Sequence, residues 1–319
     1  MEKKMKLILG TMTFGQQVEE SEALQITEYF KQCGYSELDT AHIYNEGNSE
    51  KIIGQIVDQV NPDGYALATK VHPRITGRLD YDSVMSQFNT SIARLKVSGV
   101  DILYIHFPDI NTSVESTLQA CDELYRQGKI KELGLSNFSA DMVKDICEKC
   151  DSKGWINPTV YQGIYNALSR KSEGKLFEIL KECKMRFYAY NPLAGGMLTG
   201  KYIDFEEKPT DGRFAYRQTY QKKYWKKSYF DAVKIIKKTC KESEITMVEA
   251  AFRWLVYHSS LEADRGDGII VGVSRIQQLK ENIEMTKQGP LPDDIKKVFD
   301  QAWELCKEDA PEYYRDYTS

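Results

Sequence analysis

The sequence predicts an α/β protein, a (β/α)8 TIM barrel, from three observations. Eight short apolar runs alternate with segments of helical periodicity. Successive runs lie roughly thirty residues apart, which is the length of one βα unit. The chain has 319 residues, 41% of them hydrophobic, and no Pro/Gly/Ser-rich linker or charge block divides it. We therefore expect residues 1–319 to form a single barrel domain, because about 250 residues is typical of this fold before insertions.

The predicted strands are short apolar runs, as strands of a buried parallel sheet usually are. Most of them end in, or carry, a polar residue. In chain order they are KLILGTM at residues 6–12, SELDT with Asp39, YALATK ending at Lys70, VDILYIH ending at His106, IKELGLSN ending at Ser136 and Asn137, PTVYQG with Gln162, RFYAYNPLAGG with Asn191, and GIIVGVS ending at Ser274.

Apolar residues between the strands recur at helical spacing. One predicted helical face comprises Ile52, Ile53, Ile56, Val57 and Val60, and another comprises Val84, Phe88, Ile92 and Leu95. Thr112 and Glu115 fit a capping box at a helix start. Residues 197–268 are too many for one unit, which predicts a large loop after strand 7. Residues 293–306 predict an extra C-terminal helix.

Composition argues against several classes of function. The net charge of −4, from 43 basic and 47 acidic residues, gives no bulk attraction to nucleic acid. Residues 222–241 interleave lysines with aromatics, but a solvated helix face is the favoured interpretation. No apolar run reaches the ~18 residues of a membrane helix. The basic, briefly apolar start is too short for a secretory signal, so we expect a cytoplasmic protein.

The cysteines and histidines indicate neither disulfides nor a metal. Seven cysteines, an odd number, are expected to be reduced thiols. Cys147 and Cys150 form a C-x-x-C, but they share one helical face with Val143 and Ile146, which favours core packing over redox chemistry. The four histidines lack metal-ligand spacing, so no metal site is expected.

The polar strand ends are the main functional signal. In a barrel of this type the carboxyl ends of the strands converge on one mouth, where the chemistry takes place. A turn or cap role is a serious alternative for the serine and asparagine positions. That alternative is weaker for Asp39, Lys70 and His106, because titrating groups rarely end three successive strands without a use.

These groups, together with Tyr44 just past strand 2, could act on a carbonyl. The phenol has a reference pKa of about 10, and a nearby Lys70 cation would lower it. Asp39 can hold Lys70 charged, and His106 can donate a hydrogen bond to a substrate oxygen. The set suits protonation of a carbonyl oxygen while a nucleophile attacks the carbon. No serine or cysteine is coupled to a base, so hydride from a reduced nicotinamide would complete the reaction.

A dinucleotide site is expected after strands 7 and 8, where barrels often bind phosphate. No G-x-G-x-x-G is present, and the G-x-x-x-x-G-K from Gly195 to Lys201 is followed by Tyr202 instead of a hydroxyl ligand for magnesium, so neither a Rossmann site nor a P-loop is indicated. Arg275 adds a cation near a predicted helix N-terminus. Gln278 and Asn282 could read an adenine, although an ordinary surface helix would also carry them.

Motifs along nearly the whole chain are similar to one enzyme family. They are LGTMTFG, LDTAHIYNEGNSE, VDILYIHFPD, GKIKELGLSNFS, GWINPTVYQGIYNA, RFYAYNPLAGGMLTGKY, GRF, KKYWKKSYFDA, GVSRIQQLKEN and the ending AW…APEYYR. The chain resembles the aldo-keto reductase superfamily, in its aflatoxin aldehyde reductase and succinic semialdehyde reductase branch. The resemblance implies reduction of aldehydes to alcohols with NADPH, including carboxylated or dicarbonyl aldehydes such as succinic semialdehyde, and it allows for a homodimer.

The resemblance also implies residue roles. Tyr44 would be the proton donor, Lys70 and Asp39 would tune it, and His106 would orient the carbonyl. Tyr188 or Tyr190 would stack on the nicotinamide, a choice that the sequence leaves open. The implied cofactor-binding residues are Ser136, Asn137, Gln162, Asn191, Pro192, Leu193, Gly195, Gly196, Leu198, Gly200, Lys201, Arg213, Gly272, Ser274, Arg275, Gln278 and Asn282. Arg275 stands where relatives tend to have a serine, which favours a 2′-phosphate and hence NADP over NAD.

The implied substrate residues include an arginine near the C-terminus. They are Met12, His106, Tyr220, Lys223, Trp225 and Arg315. Relatives often carry arginine at the position of Lys223, and lysine lacks the bidentate fork that grips a carboxylate. Two alternatives stay open: a cofactor-binding regulatory subunit with little turnover, as in potassium-channel β-subunits, and a barrel lyase or isomerase that uses Lys70 as a Schiff base.

Overall fold

Eight parallel strands close into a barrel in chain order, which confirms the predicted fold class. The computed structural model describes residues 5–56, 64–207, 209–210 and 212–315. The strands are β1 Lys6–Gly10, β2 Glu37–Asp39, β3 Ala66–Val71, β4 Val100–Ile105, β5 Ile130–Ser136, β6 Pro158–Ile164, β7 Arg186–Tyr190 and β8 Gly268–Gly272. β1 pairs with both β2 and β8, so the sheet has no free edge.

Side chains of the strands alternate between two apolar environments, because both faces of the sheet are covered. The inward-pointing set fills the barrel and comprises Ile8, Ala68, Ile102, Tyr104, Val160, Tyr188 and Ile270. The outward-pointing set packs against the helices. Lys70 lies opposite Tyr104 in the β3–β4 register. A charged side chain therefore enters the interior beside an aromatic ring.

The amino-terminal end of the barrel is closed by a polar network. The Tyr188 hydroxyl accepts from Lys6 Nζ at 2.7 Å and from Arg186 Nε at 3.0 Å. It also donates to Glu37 Oε2 at 3.2 Å, and Lys6 forms an ion pair with Glu37. The Tyr188 hydroxyl therefore points to the end of the barrel opposite the carboxyl ends of the strands.

Helices surround the strands and supply the insertions. They are α1 Glu20–Gln32, α2 Asn48–Ile56, α3 Pro73–Thr76, α4 Tyr81–Leu95, α5 Val114–Arg126, α6 Ala140–Lys153, α7 Lys175–Glu182, α8 Gly212–Tyr216, α9 Gln218–Tyr224, α10 Lys227–Glu242, α11 Met247–Tyr257, α12 Ile276–Met285 and α13 Asp293–Cys306. Short 3-10 segments cover Tyr44–Gly47, Ala194–Thr199 and Ala263–Arg265. The predicted C-terminal helix is confirmed as α13, which packs on α10.

The segment between β7 and β8 differs from the predicted large loop, because most of it is helical. It contains α8, α9, α10 and α11. The lysine-rich stretch at 222–241 lies largely in α10, which buries Tyr229, Phe230, Val233 and Ile236 toward the core. Two aromatics of this stretch, Tyr229 and Phe230, therefore pack toward the core, as expected if its lysines form a solvated helix face.

Element boundaries account for smaller corrections. α5 begins at Val114, and its N-cap Ser113 makes no side-chain cap bond, so the predicted capping box at Thr112 is wrong. β8 ends at Gly272, two residues before Ser274, and α12 begins at Ile276. Of the first predicted helical face, Val57 and Val60 lie outside the described residues. Within the described part of the chain, no helix combines the length and apolar character needed to cross a membrane.

The cysteines behave as the packing interpretation predicts. Cys147 and Cys150 are buried on α6 together with Val143 and Ile146. All seven cysteines are free thiols. Among the residues that the structure describes, no three His, Cys, Asp or Glu side chains come close enough to hold a metal ion.

Candidate active site

A cavity of about 590 Å³ opens at the carboxyl ends of the strands. Most of the polar strand-end residues border it, although they are far apart in the sequence. The residues from the predicted set that line it are Met12, Asp39, Tyr44, His106, Asn137, Gln162, Asn191, Pro192, Leu193, Gly195, Gly196, Lys201, Arg213, Tyr220, Lys223, Gly272, Ser274, Gln278 and Asn282.

Lys70 and Asp39 form a buried ion pair beneath this cavity. Lys70 Nζ donates to both carboxylate oxygens of Asp39 at 2.6 Å and to the carbonyl oxygen of Thr40 at 2.6 Å. Lys70 is fully buried and does not reach the cavity wall. Burial lowers the pKa of the Lys70 ammonium, and the Asp39 carboxylate opposes that effect. Three acceptors surround the nitrogen, so the buried ammonium has hydrogen-bond partners that offset the cost of its burial.

Tyr44 is placed by a turn whose backbone is unusual for its residues. Asn45 and Glu46 are left-handed, with φ of 49° and 58°. Asparagine tolerates this conformation better than most side chains. The Asn45 amide nitrogen donates to the carbonyl oxygens of Met12 and Phe14, both at 2.8 Å. These bonds fasten the turn that carries Tyr44 to the loop after β1.

The pKa of Tyr44 is raised well above its ordinary value. The largest cause is burial, followed by the negative charge of Asp39. The pKa of Tyr44 is therefore shifted in the direction opposite to the one expected, because burial and the Asp39 charge dominate. Lys70 Nζ lies 5.3 Å from the centroid of the Tyr44 ring, but its protons are directed at Asp39 and Thr40. Tyr44 consequently holds its proton firmly at neutral pH.

His106 is held as a neutral imidazole beside Tyr44. Burial lowers its pKa well below the ordinary value, and the charge of Lys70 and the neighbouring His72 add to this. Its ring lies edge-on to the Tyr44 ring, with centroids 5.8 Å apart, and the His72 ring is 5.1 Å away on another side. His106 Nδ1 has no hydrogen-bond partner among the described residues. A neutral imidazole carries a single N–H, which can serve as a donor into the cavity.

An amide network occupies the wall formed by β5, β6 and β7. Asn137 Nδ2 donates to the His106 carbonyl oxygen and to Ser136 Oγ, both at 2.9 Å. The Tyr190 hydroxyl donates to Asn137 Oδ1 at 3.2 Å. Gln162 Nε2 donates to Asp39 Oδ1 at 2.8 Å, which ties this wall to the ion pair. Ser136 itself is buried behind Asn137 and does not line the cavity.

The structure distinguishes the two strand-7 tyrosines. Tyr190 lines the cavity, whereas Tyr188 points to the closed amino-terminal end of the barrel. Of these two rings, only Tyr190 can contact a molecule in the cavity.

A glycine turn after β7 shapes the next part of the wall. Gly195 and Gly196 have φ of 69° and 120°, and a Cβ on Gly195 would lie 2.9 Å from the Tyr220 ring. Arg213 Nη1 donates to Asn191 Oδ1 at 3.2 Å, beside this turn. Left-handed glycines without side chains, next to an arginine, fit the phosphates of a nucleotide. Leu198 and Gly200 lie in the same turn but do not reach the cavity.

The start of α12 forms the far end of the cavity. Gln278 Oε1 accepts from the backbone nitrogen of Ser274 at 2.9 Å and lies 3.2 Å from Ser274 Oγ. Asn282 is buried one turn further along. Arg275 is the N-cap residue and is exposed outside the cavity lining. This end of the cavity therefore presents polar side chains and the N-terminus of α12, a position that favours anionic groups.

The predicted substrate residues fall into two groups. Met12, Tyr220 and Lys223 line the cavity, and burial lowers the pKa of the Lys223 ammonium. Arg315 lies beside the wall, with its guanidinium carbon 5.8 Å from the centroid of Phe107. Trp225 does not line the cavity: its indole nitrogen donates to the Phe205 carbonyl oxygen at 3.1 Å. The prediction that Trp225 forms part of the cavity wall is therefore wrong, because its ring packs within the insertion.

The cavity also contains residues that the sequence did not indicate. Thr13, Gln17, Phe107 and Arg217 all line it. Thr13 and Phe107 lie within three residues of the ends of β1 and β4, so a wider search around the strand ends would have found them, whereas Gln17 lies further along the loop after β1. Arg217 precedes α9 and donates to Gln16 Oε1 at 3.1 Å. Nothing in the local sequence distinguishes it from neighbouring basic residues.

Charge in the cavity favours an anionic ligand. Among its described lining residues the cations are Lys201, Arg213, Arg217 and Lys223, and the one carboxylate is Asp39. Asp39 is already paired with Lys70. The remaining field is positive, which suits a dinucleotide.

Comparisons with known proteins agree with this geometry. A model of the Aldo/keto reductase family matches residues 6–304. The chain is 42% identical to Aflatoxin B1 aldehyde reductase member 2 of Mus musculus, in an alignment that covers 97% of this chain and 87% of that protein. It is 40% identical to Aldo-keto reductase family 7 member A3 of Homo sapiens, over 97% of this chain and 96% of that protein. The chain therefore belongs to the aldo/keto reductase family, whose members are oxidoreductases that use a nicotinamide cofactor.

Proposed function

We propose that this protein reduces aldehydes to alcohols with NADPH and that Tyr44 donates the proton to the carbonyl oxygen. The observation that carries the proposal is a phenol that keeps its proton at neutral pH, at the wall of a positive cavity, above a buried Lys70–Asp39 pair. A proton donor must carry its proton when the substrate arrives, and the raised pKa of Tyr44 meets that requirement.

Each member of the group has a distinct role in this proposal. His106 is neutral because its partly buried position lowers its pKa, and it donates a hydrogen bond that orients the carbonyl oxygen. Tyr44 then transfers its proton to that oxygen. The resulting phenolate lies close to the Lys70 ammonium, which stabilises the negative charge. Lys70 thus acts on the product of the proton transfer, and Asp39 holds it in place.

The cofactor, when bound, supplies the hydride. Tyr190 provides an aromatic face, and Asn137 and Gln162 provide amides on the same wall. We assign Ser136 the role of holding Asn137, because it lies behind that side chain.

Residues further along the cavity would bind the rest of the dinucleotide. The glycine turn, Lys201 and Arg213 would bind the pyrophosphate. Gln278 and Asn282 would contact the adenine. Arg275, exposed at the start of α12 next to Ser274, would pair with the 2′-phosphate and so favour NADPH over NADH.

Carboxylated aldehydes such as succinic semialdehyde are the proposed substrates. Lys223 in the wall and Arg315 beside Phe107 both place positive charge at the substrate end. A bound carboxylate would offset the cost of keeping Lys223 charged where burial lowers its pKa. The names of the related aflatoxin B1 aldehyde reductases fit a role in detoxification, and we extend the proposed substrates to dicarbonyl aldehydes on the resemblance of the sequence.

Two other assignments are less well supported. A Schiff base at Lys70 requires a free, neutral amine, but this nitrogen donates to three acceptors in a buried pair. A cofactor-binding subunit with little turnover does not explain why a protonated Tyr44 and a neutral His106 face an open cavity. Homodimer formation and a cytoplasmic location stay proposals, and light scattering on the purified protein tests the first.

A substrate panel tests the proposal. Initial rates are measured with NADPH and NADH, against neutral aldehydes and carboxylated ones such as succinic semialdehyde. We expect faster turnover with NADPH. Arg315→Ala should raise KM for carboxylated aldehydes at least tenfold, the scale expected for one lost charged hydrogen bond, while neutral aldehydes change little. Equal damage to both sets would contradict the role of Arg315, and no aldehyde reduction at all would contradict the function.

A further inference from the structure

The Lys70 ammonium lies close to two aromatic rings. Its nitrogen is 5.3 Å from the centroid of Tyr44 and 5.3 Å from the centroid of Tyr104. Both distances are within the range of a cation–π interaction, which is strongest where water is excluded. Tyr44 borders the cavity, whereas Tyr104 is fully buried inside the barrel.

Tyr104 is fixed in this position by the strands on both sides. It lies opposite Lys70 on β3 and opposite Gly134 on β5. A Cβ on Gly134 would overlap the Tyr104 ring, so the absence of a side chain there lets the ring lie against β5. The ring therefore has little freedom to move away from Lys70.

The hydroxyl of Tyr104 does not explain the position of the ring. It is buried and has no hydrogen-bond partner among the described residues. A buried hydroxyl without a hydrogen bond is unfavourable, so the hydroxyl does not hold the residue in place. The contact of Tyr104 with Lys70 is made by its aromatic ring.

We infer that Tyr104 is a positioning residue, whose ring stabilises the charged form of Lys70 and holds that ammonium beneath Tyr44. The inference rests on the proposed roles of Lys70 and Tyr44 in aldehyde reduction. Asp39 and Thr40 fix the ammonium through its protons, and the Tyr104 ring supports it from within the barrel. Without this ring the ammonium loses its proton more readily, and the Tyr44 phenolate loses its neighbouring cation.

The other titratable groups around Lys70 and Tyr104 are the same in every variant of the Tyr104 series. Those acting on Lys70 are Asp39 of β2, Glu50 of α2, Tyr44, and His106 after β4, and those facing Tyr104 from the rest of the barrel are Asp39, Glu37, Tyr188 and Arg186. A change confined to the electron density of the Tyr104 ring therefore isolates its effect on Lys70.

The experiment replaces Tyr104 with phenylalanine, monofluorinated phenylalanine and trifluorinated phenylalanine. These rings have nearly the same shape, and fluorine withdraws the electron density that attracts a cation. The basic limb of the pH profile of kcat/KM reports loss of the Lys70 proton, because the pKa of Lys70 is lowered whereas that of Tyr44 is raised. We expect this limb to move to lower pH along the series, by roughly half a pH unit to one unit in total. The control is Phe187→trifluorinated phenylalanine, at a buried ring on β7, which should leave the limb in place.

A second readout does not depend on turnover. NMR titration of nitrogen-15-labelled lysine side chains follows the Lys70 ammonium directly, and its pKa should fall along the same series. Identical basic limbs and identical Lys70 titrations across the series would overturn the role of Tyr104, as would equal shifts in the Phe187 control. If the parent protein fails to reduce aldehydes, the proposed function fails, and the titration still decides the role of Tyr104.

Discussion

Lys70 keeps its charge inside the barrel chiefly because Asp39 lies against it. The two side chains are almost completely buried, and Gln162 adds a further donor to Asp39. Taking one charge away leaves the other buried and uncompensated, which costs far more than removing both.

The first prediction compares single and double variants of this pair. Lys70→Met should lower the free energy of unfolding by about 3–5 kcal/mol. Adding Asp39→Asn to it should recover most of that loss, because no uncompensated charge remains. Urea denaturation followed by circular dichroism measures both. A double variant no more stable than Lys70→Met would contradict the account of the ion pair.

Sequence reasoning at this scale predicted that Asp39, Tyr44 and His106 meet, but it misplaced Trp225 and predicted the wrong direction for the Tyr44 pKa shift. The titrating strand ends Asp39 and His106 border one cavity with Tyr44, as predicted, and Lys70 lies beneath them. The direction of the Tyr44 pKa shift could not be predicted, because it depends on burial and on where the Lys70 protons point. A single sequence contains neither quantity.

The turn that carries Tyr44 is the element on which the site most depends. Asn45 combines a left-handed backbone with two hydrogen bonds to the loop after β1. Its exposed neighbour Glu46 also has a left-handed backbone but takes part in neither of these hydrogen bonds. The two positions share a backbone conformation and differ in their side-chain contacts.

The second prediction uses this pair of neighbours. Asn45→Ala should lower stability by about 2 kcal/mol, from two lost hydrogen bonds and a less tolerant left-handed residue. It should also reduce kcat by about tenfold or more, because misplacing a reacting group lowers the rate. The matched control Glu46→Ala should change both quantities little. Similar losses in the two variants would show that backbone conformation, not the Asn45 bonds, places Tyr44.

The short helix α3 begins with a histidine that should make stability depend on pH. His72 Nδ1 accepts from the backbone nitrogen of Arg74 at 3.0 Å. Burial, aided by the charges of Arg74 and Arg315, lowers the pKa of His72 to about 4. The unfolded chain, with a histidine pKa of about 6.5, binds this proton more readily. Stability from His72 is therefore present above pH 6.5 and is lost as pH falls toward 4.

The third prediction is that His72→Asn weakens this dependence. Asparagine keeps an acceptor for the Arg74 nitrogen but does not titrate. The fall in unfolding free energy between about pH 6.5 and 4 should shrink by about 2 kcal/mol, and part should persist because the pKa of His106 is also lowered. Denaturant unfolding at several pH values measures it. An unchanged fall in the variant would mean that His72 does not contribute.

Elements with a clear period could be predicted, and those set by tertiary contacts could not. The strands and α13 were recognisable because buried runs and an amphipathic face leave a pattern. The insertion between β7 and β8 was misjudged because its short helices α8 and α9 pack aromatics such as Phe214 and Tyr224 against neighbouring segments. Trp225 was misplaced for the same reason.

For the whole molecule, barrel closure converts dispersed residues into one site. β1 pairs with β8, so Gly272 and Ser274 of the C-terminal part border the same cavity as Met12. The closed amino-terminal end and the positive lining leave one mouth suited to an anionic ligand. The sequence predicted this convergence from topology alone, while the contribution of Arg217 required the fold.

The central claim is that Tyr44 supplies the proton, and the most direct measurement is a single-turnover rate for Tyr44→Phe. NADPH oxidation by an aldehyde is followed after rapid mixing, and cofactor affinity is measured separately by fluorescence. We predict a rate lower by about 10²–10⁴-fold, the usual contribution of a positioned general acid, with NADPH affinity nearly unchanged. A Tyr44→Phe protein that reduces aldehydes as fast as the parent would contradict the account.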